Sequence, residues 1–392
     1  MERDKNSLNQ QFDYQLAFLL FLLFCTSMIA IYGAGLTSSQ YATDPASFVF
    51  KQLINYIIGI VIVAVVMFFD SEQLQRLTWY LYGFGIFLLL LLMVAPESIA
   101  PVKNGAKSWF DLKVFNLQPS EFMKTFLILA ISSLIIKHHQ NTQIKTTGSD
   151  FLLLIKIGAC LALPLLLIMR QDLGTSLVLI AITAGMILVS GISWKIITIV
   201  YSSIALVGIT LLYLVLQQQE LIRKLTGIRE YQFGRIYSWI SPEQYSSKEG
   251  FHLLNSMKAI GSGQIFGKGL GNSDVRIPES HTDFIFSVIG EQFGFIGTSI
   301  VISLFFLLIY HLIKVAMETT EPFNSYICAG VISMFVFHVL QNAGMTVGIV
   351  PITGIPLPFI SYGGSSLMGS MMAIGLIFGI RYHHRTSMFS ND

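Results

Sequence analysis

The stretch YQLAFLLFLLFCTSMIAIYGA, residues 14–34, decides the class of this protein. It carries no charge, and its length matches the roughly 20 residues that a helix needs to cross the hydrocarbon core of a bilayer. The residues before it, MERDKNSLNQQFD, are polar, and no convincing small-residue cleavage site follows it. The stretch is therefore predicted to be an uncleaved first membrane span and not a signal peptide.

The rest of the chain has the same apolar character. Of its 392 residues 53% are hydrophobic and 12% are charged, with a mean hydropathy of +0.66, whereas soluble domains carry about 25% charged residues. The composition predicts an all-α integral membrane protein, because a helix satisfies all its own backbone groups in lipid. The net charge of +2 excludes a nucleic-acid partner. Cys25, Cys160 and Cys328 lie in apolar runs, which predicts neither disulfides nor a zinc site.

The span-length criterion predicts about ten transmembrane helices in a single membrane domain, residues 1–392. They cover residues 14–34, 53–69, 77–95, 121–137, 151–169, 173–192, 194–216, 284–314, 325–350 and 365–382. A large polar loop, about 217–283, separates the seventh and eighth spans. It is expected on the extracytoplasmic side.

The distribution of basic residues predicts that both termini are cytoplasmic. With the termini inside, nine lysines and arginines fall in the short cytoplasmic segments and five in the short outside loops. The cytoplasmic excess is modest but has the sign of the positive-inside rule, which discounts the long loop. The basic residues that remain outside suggest an anionic ligand.

The glycine-rich run GSGQIFGKGLG, residues 261–271, superficially resembles a phosphate-binding loop. It lacks the Walker motif, because Ser262 stands where a glycine is required, five residues before Gly267, and Gly269 follows Lys268 in place of Ser or Thr. Tight turns or the boundary of an amphipathic helix are the preferred interpretation.

Ionisable residues at or near membrane depth are the candidate functional residues, because they are costly to insert. Glu121 and Lys124 lie three apart on one helix face, which fits either a structural ion pair or a ligand site. Asp172 lies at the mouth of the sixth span, and Glu279, His281 and Asp283 lie at the mouth of the eighth. For any of these acids, capping of a helix N-terminus is the structural alternative.

The segment PITGIPLPFISYGGSS, residues 351–366, is apolar but rich in Pro and Gly, so it cannot form a regular helix. Non-helical backbone at membrane depth is tolerated only where protein or a cavity surrounds it. The segment, about 351–364, is predicted to be re-entrant and close to a site, with a packing turn as the alternative.

Six motifs occur together in one order along this chain: NGAKSWF, LQPSEFMK, QDLGTS, AIGSG, IPESHTDFIFSVIGEQFGFIG and PITGIPLPFISYGGSS. In this combination the chain resembles the SEDS (shape, elongation, division and sporulation) family of RodA, FtsW and SpoVE proteins over essentially its full length. The stretches PESIAPVKNGAKSWF and SGISWK are most similar to RodA-type members of Gram-positive bacteria.

The resemblance implies a peptidoglycan glycosyltransferase of the cytoplasmic membrane that polymerises lipid II on its outer face, beside a class B penicillin-binding protein of the elongation machinery. The family's essential acid maps onto Asp283, and its other functional positions map onto Trp109, Glu121, Lys124 and Asp172. Glu121 and Asp172 are also candidate ligands for a divalent cation, Mg²⁺ or Mn²⁺. Further substrate-binding candidates from the same motifs are Gln118, Ser120, Glu279, His281, Thr282, Ser361, Tyr362, Gly363 and Gly364.

The chemistry expected from this resemblance needs one general base, since an α-linked sugar diphosphate becomes a β-linked glycan in a single displacement. Asp283 is the expected base, Lys124 the expected partner of the leaving diphosphate, and Trp109 a sugar-stacking platform. A transporter that flips the lipid-linked precursor is the main alternative, although no internal repeat is visible. A scaffold for a transpeptidase and a division-type paralogue are the others.

Overall fold

The computed structural model describes residues 12–37, 44–102, 106–112, 116–142, 144, 146–217, 237–244 and 249–389. Its helices are α1 (Tyr14–Thr37), α2 (Pro45–Met67), α3 (Ser71–Val94), α4 (Pro119–Asn141), α5 (Thr147–Ile168), α6 (Leu173–Val189), α7 (Trp194–Gln217), α8 (Glu249–Ser262), α9 (Ile285–Glu318), α10 (Pro322–Thr346) and α11 (Gly364–Phe389). Between α3 and α4 the strands β1 (Phe110–Asp111) and β2 (Asn116–Leu117) pair antiparallel. The fold is all-α apart from this hairpin, as predicted.

Each of the ten predicted spans coincides with one of these helices. Within the described residues, eight helices are long and apolar enough to cross a membrane. The other two predicted spans, the sixth and seventh, coincide with the shorter apolar helix Leu173–Val189 and with Trp194–Thr210 of α7. The class of multi-spanning helical protein is therefore confirmed, while the number of ten spans stays a prediction.

The predicted start of the second span was wrong. Helix α2 begins at Pro45 and not at residue 53, because Asp44 caps it through the Ser47 N–H and proline occupies its first position. Lys51 and Gln52 interrupt the apolar run in this first part of the helix. Gln52 is fully buried, so its polarity serves a contact inside the protein.

Other boundaries also moved. Helix α4 extends beyond the predicted 121–137 at both ends, and α10 ends at Thr346, before the predicted residue 350. The long eighth span is broken in α9 at Gly294, which has a φ of 65°. Such a φ suits glycine, because it has no Cβ to clash.

The described part of the predicted 217–283 loop is folded onto α9. Residues 218–236 and 245–248 of this loop, with Tyr231, Arg235 and Tyr245, lie outside the described residues. Helix α8 packs against α9, and the backbone N–H groups of Lys268 and Gly269 donate to the carbonyls of Glu291 and Gln292, both at 3.0 Å. The glycine-rich run therefore forms the expected tight turns, and they dock beside the Gly294 break.

Helix α4 is the most buried helix of the bundle and contacts α3, α5, α6, α10 and α11. In contrast, few residues of α2 are buried although it packs against α11, which fits a lipid-facing position for its other side. The first turn of α4 and most of the segment between α10 and α11 are buried within the bundle.

Candidate functional site

The backbone of residues 351–363 contains no helix and is largely buried. Three side chains of α10 hydrogen-bond its carbonyls: Gln341 donates to Pro351 O at 2.9 Å, Asn342 Nδ2 to Ile355 O at 2.8 Å, and His338 Nδ1 contacts Pro356 O at 3.2 Å. Helical hydrogen bonds are thus replaced by side-chain donors. This is how irregular backbone is made tolerable inside a membrane protein.

The opposite edge of the same segment is held by α1 and α2. Ser27 donates to Ile360 O at 2.9 Å, Gln52 donates to Ser361 O at 3.2 Å, and the Tyr56 hydroxyl donates to Phe359 O. The predicted absence of a regular helix is confirmed. Its re-entrant position in the bilayer stays a prediction.

Residues 281–283 run alongside this segment, and their three successive carbonyl oxygens all accept hydrogen bonds. The donors are the Tyr362 N–H on His281 at 2.9 Å, the Ser361 hydroxyl on Thr282 at 2.7 Å, and the Asn342 amide on Asp283 at 2.8 Å. The backbone that carries the expected catalytic acid is therefore fixed at every residue.

Asp283 is half-buried and does not occupy the cap position of α9, which belongs to Phe284. A Cβ built on Gly354 would lie 3.2 Å from Asp283 Oδ2, so the carboxylate rests against the backbone of Gly354, whose φ is +73°. The capping interpretation does not account for Asp283. Its carboxylate instead faces the 351–363 segment.

An aromatic cluster flanks this acid. The ring centroids of Phe48, His281 and Tyr362 lie 5.3–5.6 Å from one another.

Burial lowers the pKa of His281 below its usual value, and nearby Glu279 only partly opposes the shift. Glu279 is exposed, with a φ of 53°, and its backbone carbonyl accepts a hydrogen bond from the Thr282 hydroxyl at 3.2 Å. His281 is thus a neutral imidazole near pH 7.

Asp172 does cap a helix. It is the N-cap of α6 and accepts hydrogen bonds from the Thr175 N–H at 2.9 Å and the Thr175 hydroxyl at 2.6 Å. It also accepts from Gln118 Nε2 at 2.8 Å. Gly174 packs against the Thr353 carbonyl. The Asp172 cluster therefore contacts the 351–363 segment from the α6 side.

Glu121 and Lys124 form the ion pair that their spacing predicts. Their charged atoms lie 2.7 Å apart, and both side chains are at most 4% exposed. Lys124 Nζ also lies 3.2 Å from His338 Nε2, whose ring reaches Pro356 O through Nδ1. The ammonium thus has two partners within the protein, which favours the structural ion-pair interpretation over a direct contact with a diphosphate.

The hairpin that follows Trp109 is fastened to the start of α11. Ser365 Oγ donates to Asn116 O at 2.6 Å and accepts from the Gln118 N–H at 2.9 Å. Trp109 is half-buried next to β1. The structure therefore places the hairpin beside Gln118 and its partner Asp172.

The remaining candidates lie at the two ends of this arrangement. Ser120 is buried, and its hydroxyl has no hydrogen-bond partner among the described residues. The Gly363 N–H donates to Gln52 Oε1 at 3.4 Å, and Gly364 packs against Asn55. Both glycines thus lie against α2.

The carboxylates of Glu121 and Asp172 do not fit a shared cation site. Glu121 is neutralised by Lys124, and Asp172 already accepts three hydrogen bonds. Among the described residues no group of three or more His, Cys, Asp or Glu side chains could hold a metal ion. The divalent cation stays a prediction.

A cavity of about 260 Å³ opens beside residues 273–281, which precede Asp283 in the chain. Its lining includes Thr37, Arg276, Glu279, His281 and Glu291. Hydroxyl, guanidinium, carboxylate and imidazole groups around a small cavity are suited to a polyhydroxylated or anionic ligand.

Sequence reasoning missed Gln52, Asn342 and Ser365, which all hydrogen-bond the parts of this site. It treated only ionisable residues as costly in a membrane, although buried amides are costly too. The pair Gln341–Asn342 inside an otherwise apolar span was the available signal.

Comparisons with known proteins agree over nearly the whole chain. The sequence profile of the FtsW/RodA/SpoVE family, described as "Cell cycle protein", matches residues 14–386. "Stage V sporulation protein E" of Bacillus subtilis is 30% identical over 377 residues, covering 95% of this chain and 98% of that protein. "Peptidoglycan glycosyltransferase RodA" of Treponema pallidum is 30% identical, covering 94% of this chain and 97% of that protein.

Solved structures share the fold. A chain from "Structural coordination of polymerization and crosslinking by a peptidoglycan synthase complex" superposes with a TM-score of 0.74 at 26% identity, covering 95% of this chain and 98% of that one. The rod shape determining protein RodA of Thermus thermophilus superposes with a TM-score of 0.67 at 23% identity, covering 95% and 97%. With the profile spanning nearly all residues and the curated relatives at 30% identity, the chain belongs to the FtsW/RodA/SpoVE (SEDS) family of multi-pass membrane proteins.

Proposed function

We propose that this protein is a peptidoglycan glycosyltransferase that polymerises lipid II, with Asp283 as its general base. The observation that carries the proposal is the hydrogen-bonded backbone of residues 281–283. All three carbonyls of residues 281–283 are hydrogen-bonded, and the Asp283 carboxylate lies against Gly354. A carboxylate that is already oriented can abstract a proton without first losing conformational entropy.

The proposed reaction inverts the anomeric centre in one displacement. The acceptor's 4-hydroxyl oxygen forms a bond to the anomeric carbon of the donor, its proton passes to the Asp283 carboxylate, and the bond from that carbon to the diphosphate oxygen breaks. Undecaprenyl diphosphate leaves as a stable anion, so it needs charge neutralisation and no proton. A general base in this role contributes about 10²–10⁴-fold in rate.

The cavity beside residues 273–281 supplies the proposed sugar-binding surface. Arg276 is exposed in its lining, and Thr37 and His281 contribute polar groups. Because Lys124 is already paired, Arg276 is a better placed partner for the leaving diphosphate than Lys124. Trp109 on the hairpin stays the proposed stacking platform for a sugar ring.

The proposed setting is the extracytoplasmic face of the cytoplasmic membrane, with both termini inside. The excess of basic residues in the short cytoplasmic segments supports this orientation. A class B penicillin-binding protein is the proposed partner, supported by the similar chain from a complex that couples polymerisation and crosslinking. A role in elongation and cell shape is proposed from the RodA-type motifs. Sidewall against septal localisation of a fluorescent fusion tests that role.

Polymerisation of lipid II by the purified full-length protein in proteoliposomes tests the activity. Asp283→Asn is expected to lower the rate by about 10²–10⁴-fold, because the amide cannot accept the proton. Glu97→Gln is the matched control, since Glu97 is an exposed acid of the connection between α3 and α4, outside the site. An unchanged melting temperature in detergent ensures that the folded state is compared.

The same assay separates the alternative functions. Lipid II crossing the bilayer without polymer formation would indicate a transporter, and neither activity would indicate a scaffold. A folded Asp283→Asn protein that polymerises at the wild-type rate would overturn the proposed mechanism.

A further inference from the structure

Asn342 lies near the end of α10 and is completely buried. Its side-chain nitrogen donates two hydrogen bonds, one to Asp283 O and one to Ile355 O, both at 2.8 Å. Both partners are carbonyl oxygens, so the orientation of the amide group is fixed by chemistry.

The other end of the same amide is not used. Asn342 Oδ1 accepts no hydrogen bond from the described residues, although it is buried. A buried acceptor without a partner costs stability. The Asn342 side chain therefore contributes through the two hydrogen bonds that its nitrogen donates, and not through its oxygen.

The two hydrogen bonds of Asn342 lie on either side of the contact between the Asp283 carboxylate and the 351–363 segment. Gly354, which lies against Asp283 Oδ2, immediately precedes Ile355. One amide group thus hydrogen-bonds both the backbone of Asp283 and the backbone of the 351–363 segment, which the Asp283 carboxylate faces. Asn342 is the side chain that hydrogen-bonds Asp283 itself to this segment, beside the contacts of Ser361 and Tyr362 with the two preceding residues.

The neighbouring polar residues of α10 do not have this double contact. Gln341 donates to Pro351 O, and His338 contacts Pro356 O. Each holds the 351–363 segment, and the hydrogen bond to Asp283 O comes from Asn342. Substitution of Gln341 is therefore a matched control. It removes a hydrogen bond to the 351–363 segment and leaves the hydrogen bond from Asn342 to Asp283 in place.

We infer that Asn342 is a positioning residue that sets the placement of the Asp283 carboxylate against the 351–363 segment. The inference rests on the proposed function of Asp283 as the general base. Asn342 does not touch substrate. It acts through the backbone carbonyls of Asp283 and Ile355.

The test compares Asn342→Leu, Asn342→Asp and Gln341→Leu in full-length protein in proteoliposomes with lipid II. Asn342→Leu keeps the side-chain size but removes both donors. It is expected to lower kcat about 10- to 100-fold, because small displacements of a reacting group cost this much, while KM for lipid II stays within about twofold. Gln341→Leu is expected to retain a higher kcat than Asn342→Leu.

Asn342→Asp supplies a readout that a merely structural role would not give. A protonated carboxyl can donate one hydrogen bond to a carbonyl, whereas the ionised form can donate none. Polymerisation by this variant is therefore expected to rise, relative to wild type, as the pH is lowered. The wild-type protein has no such dependence at this position. If Asn342→Leu does not fold, the pH dependence of polymerisation by Asn342→Asp tests the inference on its own.

A folded Asn342→Leu protein with wild-type kcat, or an Asn342→Asp protein whose rate relative to wild type is flat with pH, would overturn the inference. The double variant Asp283→Asn/Asn342→Leu is expected to be no slower than Asp283→Asn, because positioning has no effect once the base is gone. If Asp283→Asn is itself fully active, the proposed function fails. If Asp283→Asn is inactive while Asn342→Leu is unimpaired, only this inference fails.

Discussion

The Ser361 hydroxyl donates a hydrogen bond to the Thr282 carbonyl at 2.7 Å and accepts one from the Leu357 N–H at 2.8 Å. A single side chain thus closes a turn within the 351–363 segment and ties that turn to the residue before Asp283. Residues separated by 79 positions in sequence are joined in this way. The properties of the site therefore depend on contacts that a substitution can remove one at a time.

Ser361→Ala is expected to destabilise the protein by about 1–3 kcal/mol, since it removes the partner of the buried Leu357 N–H and of the half-buried Thr282 C=O. Lipid II polymerisation should fall as well, because the backbone of residues 281–283 loses one of its three hydrogen bonds. Thermal unfolding in detergent measures the first effect. Ser366→Ala, a nearby serine at the start of α11, should change stability by less than about 0.5 kcal/mol. Equal melting temperatures for the two variants would contradict the assigned role of Ser361.

Gly354→Ala is expected to reduce polymerisation at least about tenfold. The new methyl group would lie 3.2 Å from Asp283 Oδ2, and the φ of +73° disfavours any residue with a Cβ. Gly261→Ala is the control, because a Cβ there meets no atom within 4 Å. Full activity of a folded Gly354→Ala protein would show that the carboxylate does not need its present position.

Lys268→Met is expected to destabilise the glycine-rich segment by about 2–4 kcal/mol, because it leaves the buried Glu291 carboxylate without its cation. Glu291 is 2% exposed, and its contact with Lys268 measures 3.1 Å. Burial tends to lower the pKa of Lys268, but hydrogen bonds to Asp274 and Glu291 raise it overall. Lys268 therefore stays charged at neutral pH.

The double variant Lys268→Met/Glu291→Gln should recover most of this loss, since no unpaired charge is then buried. Hydrogen exchange of residues 268–281 and the melting temperature are the measurements. Failure of the double variant to recover stability would show that the ion pair is not the reason for the loss.

The melting temperature should fall as the pH decreases from 7.5 to 5.5, in part because of His281. Its folded-state pKa is lowered by burial, so the unfolded chain binds a proton near pH 6.5 while the folded chain does not. The contribution of neutral His281 to the free energy of unfolding is fully present above about pH 6.5. It is lost as the pH falls below that value. His281→Phe keeps an aromatic ring beside Phe48 and Tyr362 and should show a smaller decrease. An identical decrease in both proteins would exclude this contribution.

Local spacing predicted some side-chain contacts correctly. Glu121 and Lys124 lie three apart on one helix, and they pair whatever the rest of the protein does. Asp172, directly before the apolar run of α6, caps it. The same capping interpretation applied to Asp283 does not hold, because the chain turns once more at Phe284 before α9 begins. The direction of that turn depends on residues of the 351–363 segment far along the chain.

The sequence alone determined that this is a helical membrane protein, which segments form its long apolar helices, and that residues 351–363 could not be a regular helix. These properties follow from the apolar length needed to cross a bilayer and from the conformational limits of Pro and Gly. Only the tertiary structure decided that Asn342, Ser361 and Gly354 surround Asp283, and that His338 joins Lys124. In lipid the outer face of a helix is as apolar as its buried face, so the sequence lacks the polar and apolar stripes that orient the helices of soluble proteins.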